Sequence, residues 1–182
     1  MNTMMVEQAY EQHILDPDVH GRLLLDIERI CKRAKIPSEM VLTPLGKYCT
    51  DKEVDWVRNI KRHRKNGIHG MYYTGDVDNL EYRMMAIAGA LIRNFIDARV
   101  YSLLDVLKNY KDGDSGPTVV LVPNFYTKGQ GLAKWQIQQL HDWMISRMTE
   151  DKINILYVED VLSLESDYGP VFRSHLEKYT AI

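Results

Sequence analysis

The densest set of residues able to handle a charged ligand is Thr74-Gly75-Asp76-Val77-Asp78-Asn79-Leu80-Glu81-Tyr82, which follows the short aromatic run Met71-Tyr72-Tyr73. A loop that leaves a strand and opens a helix is where a phosphate cradle sits, because glycines there let backbone N–H groups converge on one anion. The cradle also needs a lysine for the β- and γ-phosphates and a hydroxyl for Mg²⁺, at the spacing G-x-x-x-x-G-K-[ST]. Counted from Gly75, Leu80 takes the second glycine position, Glu81 the lysine and Tyr82 the hydroxyl, so only the first glycine matches. A glutamate in place of the lysine turns attraction into repulsion, and at ~4 Å in an effective dielectric of ~20 each unit pair amounts to about 4 kcal/mol. Phosphoryl transfer depends almost wholly on positioning and electrostatics. Gly75, Asp76, Asp78, Glu81 and Tyr82 therefore read as the vestige of a phosphate loop.

Two basic clusters are candidates for nucleic acid. Arg58, Lys61, Arg62, Arg64 and Lys65, with His63, fall within eight residues that hold no acid. They read either as a phosphate-binding patch or as a solvated helix end, where cations suit the helix dipole. Lys128 and Lys134 flank Gly129-Gln130-Gly131, with Trp135 beside them, a pairing of cations and an aromatic ring that suits single strands. Trp135 also fits a core or subunit-contact position on its helix. The six histidines show no H-x-x-x-H spacing, and Asp76-Val77-Asp78 lacks the glycine and terminal glutamate of a calcium loop, so no metal site is expected. Cys31 and Cys49 have no ligand-spaced neighbours and read as free thiols in a reducing cytoplasm.

The elements that must position these residues alternate in period. Val19, Leu23, Ile27, Ile30, Cys31 and Ala34 fall at helical spacing after Asp16-Pro17, and Ile36-Pro37 ends the run. Thr50 and Glu53 make a capping box for a second helix carrying Val54, Val57 and Ile60, which stops at Asn66-Gly67. Strands are expected at 71–74, 100–103, 118–122 and 153–158, with helices at 104–110, 133–148 and 171–178. Met84, Ala88, Leu91, Ile92 and Phe95 mark one more helix, and 112–117 is a turn segment. Strand–helix alternation implies right-handed crossovers, so the fold class is α/β: a mostly parallel sheet flanked by helices, after an N-terminal helical segment. The 182 residues suit one ordinary domain, and a net charge of −2 means that any nucleic-acid binding must use a local patch. The longest apolar stretches fall well short of the ~20 residues that span a bilayer, and no basic, then apolar leader opens the chain.

Ala34-Lys35-Ile36-Pro37, a loop with Leu45, a helix and then Gly67-Ile68-His69-Gly70-Met71-Tyr72-Tyr73-Thr74-Gly75 occur in that order. Ala86-Ile87-Ala88-Gly89-Ala90-Leu91-Ile92 and Ser102-Leu103-Leu104-Asp105-Val106-Leu107-Lys108 continue the pattern. Over roughly residues 30–180 the chain resembles the DnaC/DnaI/IstB group of AAA+ helicase loaders, by pattern rather than identity. The resemblance implies a helical segment over 1–48 and an AAA+/P-loop-like core over 49–182, with no separate lid domain. It also shows what is lost. The family's third strand ends in two acidic residues, where Val119-Val120-Leu121-Val122 runs here into Pro123-Asn124. Its sensor asparagine would fall near Val158-Glu159, and its Ser-Arg-Leu segment is matched by Ser174-His175-Leu176, with Arg173 adjacent.

The implied function is that of a non-catalytic accessory protein of bacterial or phage DNA replication: a pseudo-ATPase without cofactor or metal. Its partner would be a replicative helicase or an active AAA+ relative, whose loading it assists or blocks, with weak single-stranded DNA binding and no membrane. Self-assembly stays open. In the family an N-terminal helical element grips the helicase, which makes Leu23, Ile27 and Ile30 candidate anchors, or else a stripe packed on the chain's own core. A nucleotide-linked enzyme on the same scaffold, or a structural subunit of a larger complex, are the alternative readings.

Overall fold

The computed structural model describes residues 3–111 and 115–182. Its strands are β1 (Gly70–Thr74), β2 (Ala98–Val100), β3 (Val119–Tyr126), β4 (Ile153–Val158) and β5 (Tyr179–Ala181). They pair in the order β2-β3-β4-β1-β5, parallel at every junction. Parallel neighbours need crossovers. These are α7 (Leu80–Arg93), α8 (Leu103–Lys111), α9 (Lys134–Thr149), and the pair α10 (Val161–Tyr168) and α11 (Pro170–Leu176). Ahead of β1 lie α1 (Thr3–Glu11), α2 (Pro17–Leu25), α3 (Ile27–Ala34), α4 (Glu39–Leu42), α5 (Asp51–Arg58) and α6 (Ile60–Lys65). The expected α/β class, a parallel sheet with helices on both faces, is what the chain forms.

Alternation along the buried strands divides the core. Met71, Tyr73, Val119, Leu121, Ile153 and Ile155 face one apolar cluster, shared with the N-terminal helices and α7. Val120, Val122, Leu156 and Val158 face the other, shared with α8 to α11. Helix α7 is apolar nearly all round, with every residue from Ala86 to Ile92 buried, because it is sandwiched between the sheet and α4. Gly89 makes that approach possible: a Cβ there would stand 2.3 Å from the Met40 carbonyl oxygen.

Several sequence expectations need correction. The apolar run after Asp16-Pro17 is two helices broken at Asp26, and Leu23 and Ile27 are buried, 6% and 1% exposed, in the same cluster as Met71 and Tyr73. Ile30 is half-buried against that cluster. These three residues serve the chain's own core, so they are not free partner anchors; Val19 and Leu25 are the exposed apolar residues of α2. β2 ends at Val100, before the expected strand would, because Ser102 and Asp105 cap α8: the Ser102 N–H donates to the Asp105 carboxylate at 2.9 Å and the Asp105 N–H to the Ser102 hydroxyl at 3.1 Å. β3 continues through Pro123-Asn124, with its register against β4 shifting between Val122 and Tyr126. Phe95 lies beyond α7 with φ 59°, its side chain in solvent. The helix α10 and the edge strand β5 were not anticipated, and 112–114 of the expected turn segment lie outside the described residues.

Two buried polar hubs tie the layers together. Glu53, fully buried, accepts from the Thr50 N–H at 2.7 Å and the Thr50 hydroxyl at 2.8 Å, so the expected α5 cap is formed. The same carboxylate receives Arg83 from α7 at 3.0 and 2.7 Å and the Tyr73 hydroxyl from β1. Burial alone would raise the Glu53 pKa, but the Arg83, Tyr73 and Thr50 donors outweigh it and hold the carboxyl below the ordinary range. On the other face, buried Arg147 of α9 donates to the carbonyls of Ser115, Pro117 and Ile153 and to the Asn154 side chain, closing the N-terminal ends of β3 and β4.

Removing one partner from a buried ion pair costs about 3 kcal/mol or more. Glu53→Gln is expected to lower unfolding stability by about that amount in denaturant titration at neutral pH. Because the folded Glu53 value is depressed, its contribution is complete above the unfolded glutamate pKa of about 4.3 and is lost as pH falls below it. The acid limb of the stability profile should therefore be shallower in Glu53→Gln than in the parent. In the N-terminal helices, Leu23→Ala should cost about 3 kcal/mol, while Leu25→Ala should stay within about 0.5 kcal/mol.

Candidate functional site

Strand order decides where a ligand would sit. From β1 the chain crosses by α7 to β2, while from β4 it crosses on the other face to β5, so the connections diverge between β1 and β4. The crevice beyond the C-terminal ends of such a strand pair is the ligand position of open α/β sheets. Here it is bounded by the 75–79 loop after β1, by Glu159-Asp160 after β4 and by Thr127-Lys128 after β3.

The 75–79 loop is latched shut on the neighbouring strand. Gly75, at φ +71°, turns its N–H onto the Glu159 carbonyl at 3.1 Å, and its own carbonyl accepts from the Tyr157 hydroxyl at 3.0 Å. Asn79, at φ 53°, precedes α7 without a side-chain cap, and Glu81 occupies the first helical turn in solvent. Tyr82 is exposed, its ring 6.5 Å from that of Tyr48, and the two border a cavity of about 320 Å³ with Lys47 and Asn79.

The charges around this crevice are mostly negative. Asp76, Asp78 and Glu81 are exposed, and Glu159 accepts from the Lys128 N–H at 2.9 Å. Burial, then the charges of Glu159 and Asp76, raise the Tyr157 hydroxyl pKa. The nearby cation, Lys128, has its ammonium 3.7 Å from Asp160, whose carboxyl also caps α10 through the Ser163 N–H at 2.6 Å. That hydrogen bond does most to hold the Asp160 carboxyl below its ordinary pKa. Asn124, inside β3, accepts from the Leu103 N–H at 3.0 Å and so helps start α8. No group of three metal-ligating side chains converges among the described residues. Counted from Gly75 at phosphate-loop spacing, the loop offers Glu81 where a lysine would stand, and β3 ends in Phe125-Tyr126 without a carboxylate.

The two basic clusters lie at opposite ends of the sheet. Lys128, Lys134 and Trp135 follow the C-terminal end of β3, and Trp135 is 65% exposed, which corrects the core position its helical spacing suggested. Trp143, two turns on, takes that core place. The other cluster lies on α5 and α6, ahead of the N-terminal end of β1, and the structure sorts its members: Arg58 and Lys61 line one cleft, Lys61 and Arg64 another, and Arg62 and Lys65 neither. Arg64 also pairs with Asp151 at 2.9 Å. On α11, Arg173 points outward and pairs with Glu165 at 2.7 Å, while His175 turns inward toward His141 and is held below its ordinary pKa first by burial and then by its charged neighbours. Burial pushes the Cys31 and Cys49 thiols up to about 11 and about 12, which keeps both protonated at neutral pH.

No protein-family model matches the chain, and no curated protein sequence matches it. Its fold is shared with solved structures. Over 76% of this chain and 48% of the other it superposes with TM-score 0.55 and 11% identity on the replication initiator DnaA bound to AMPPCP and single-stranded DNA. The chain thus spans about half of that structure's length. Over 79% of this chain and 86% of the other it superposes on DnaI with TM-score 0.52 and 14% identity. The fold is therefore AAA+-like. Among the described residues no helix is long and apolar enough to cross a membrane.

The exposure of the three tryptophans is directly measurable. Trp135→Phe should remove most of the emission that acrylamide quenches, because Trp56 and Trp143 are each 3% exposed.

Proposed function

We propose that this chain is an accessory protein of DNA replication, built on an AAA+-like scaffold, that acts by binding a replicative helicase or an active AAA+ relative. It assists or blocks loading without hydrolysing ATP itself. The observation that carries this reading is the crevice between β1 and β4. It keeps the fold's ligand position but meets phosphates with Glu81, Asp76 and Glu159, and commits the Gly75 N–H to the Glu159 carbonyl. Glutamate at the lysine position disfavours a polyphosphate through like-charge repulsion, and without magnesium ligands there is nothing to neutralise it. The fold shared with DnaI and with the initiator DnaA supports a place in replication. A scaffold without its reaction must work through surfaces, and the N-terminal helices offer Val19 and Leu25, which are 53% and 88% exposed.

Calorimetric titration with magnesium ATP is expected to give no binding heat, and Glu81→Lys alone should not create an ATPase, since the magnesium ligands stay absent. Micromolar ATP affinity in the parent chain would overturn the reading. Size-exclusion chromatography with the replicative helicase of the native host is expected to show co-elution. Leu25→Asp should abolish it while leaving the melting temperature within a degree or two, as expected for a surface change.

A further inference from the structure

A cleft lies at the end of α7 opposite the 75–79 loop. Helix α7 starts at the 75–79 loop and runs 14 residues to Arg93, about 20 Å at ~1.5 Å per residue. At that far end a cleft of about 780 Å³ lies between α5, α7 and the Pro44-Leu45-Gly46 turn. It shares Ile60, Lys61 and Ile96 with a smaller cavity of about 220 Å³ that extends to Phe95 and Asp97, so the two adjoin along α6. Val57, Ile60, Leu91 and Ile96 line it together with the polar side chains of Asp51, Arg58, Lys61 and Asn94.

Charge on this groove is of one dominant sign. Arg58 and Lys61 are exposed, and among the described residues neither has a carboxylate at ion-pair distance. Arg64 shares its charge with Asp151, and Arg93 donates to the Val41 and Thr43 carbonyls at 2.7 and 3.0 Å while lining the cleft. Of the lining acids, Asp97 is already held by Arg99 at 2.9 Å and Arg33 at 3.4 Å, which leaves Asp51.

Phe95 supplies a different chemistry at the same place. It is the second residue after α7, where a helix ending in the left-handed region ordinarily has glycine. Here a phenylalanine takes φ 59° and leaves its ring 61% exposed. Both features are unfavourable for a purely structural residue. The ring lies parallel to the His20 imidazole, with centroids 5.4 Å apart and planes 10° from each other. His20 is itself fixed: Nδ1 accepts from the Asp16 N–H at 2.9 Å and Nε2 donates to the Arg93 carbonyl at 3.0 Å, which the neutral tautomer protonated on Nε2 satisfies at both ends. The result is a preorganised aromatic platform beside a row of cations.

We infer that this groove binds single-stranded nucleic acid, with phosphates along Arg58, Lys61 and Arg64 and a base on Phe95. Cations alone would suit any polyanion; the flat exposed ring adds a surface that bases occupy and acidic peptides do not. An elongated concave groove admits one flexible strand, whereas a duplex is read by elements that protrude into its own grooves. The site goes beyond the proposed replication role and does not depend on the state of the β1–β4 crevice.

Fluorescence anisotropy of the full chain with a labelled oligothymidylate of about a dozen nucleotides tests it. Binding is expected at low salt, with a log–log salt slope of roughly −2 from three contacts at ~0.7 each. Arg58→Ala combined with Lys61→Ala should flatten that slope by about 1.4, two contacts' worth. Phe95→Gly should weaken binding about tenfold with the slope unchanged, and should keep or raise the melting temperature because glycine accepts the left-handed position without strain. The assignment is overturned by absence of binding at low salt, by an unaltered slope in the double variant, or by an unaltered affinity in Phe95→Gly. It is equally overturned if Lys128→Ala with Lys134→Ala changes the slope instead, or if polyglutamate competes as well as unlabelled oligonucleotide. An ATP titration has no bearing on any of these outcomes, so this site and the proposed function fail separately.

Discussion

The buried carboxylate of Glu53 sets the geometry on which the rest of the molecule depends. One side chain caps α5, receives the Tyr73 hydroxyl from β1 and accepts two hydrogen bonds from Arg83 of α7. A buried charge is tolerated only when its hydrogen-bonding capacity is filled, and a half-filled site would cost more than an apolar one. The three elements are therefore held in one mutual arrangement. Tyr73 and Arg83 also bracket the 75–79 loop, so the crevice is positioned by the same contact that joins the helical layer to the sheet. Arg147 does the corresponding work at the other end of the sheet, where its guanidinium gathers the Pro117 carbonyl ahead of β3 and the Ile153 carbonyl at the start of β4.

With the layers fixed this way, the small net charge of −2 conceals a separation. The C-terminal edge of the sheet presents Asp76, Asp78, Glu81 and Glu159, and the groove past the end of α7 presents Arg58, Lys61 and Arg93. The fold's usual ligand position is thus bordered mainly by carboxylates, and the cationic groove lies at the other end of α7, about 20 Å away by the ~1.5 Å rise of a helix.

Much of the architecture was legible because local signals and tertiary packing agree. The Thr50–Glu53 pair marks the start of α5, the run at Ile153–Val158 is β4, and the change from helical to alternating period near residue 70 separates the N-terminal helices from the sheet. Where signals were short or internally divided, the reading failed. β5 has three residues, too few for any period to show, and α10 opens on Asp160, whose capping role is visible only once Ser163 is seen to donate to it. Leu140, Trp143 and Met144 already define the inward stripe of α9, and Arg147 continues it by helical spacing, so the buried arginine had a signal that charge alone obscured.

What the amino-acid sequence determined by itself was the α/β class and the order of its longer elements, since each of these depends on periodicity or residue type at fixed spacing. Tertiary structure alone decided which apolar and basic residues are available. The stripe through Leu23 and Ile27 and the exposed Val19 and Leu25 share one helical segment, and only the packing of α2 and α3 on the sheet cluster tells interior from surface. Five cations in eight residues became two that line one cleft and one that lines the cavity beside it, because a helix distributes neighbours around its axis and only its partners select a face. Phe95 and His20, 75 positions apart in the chain, meet in parallel because α7 ends against α2, a contact that no local pattern encodes.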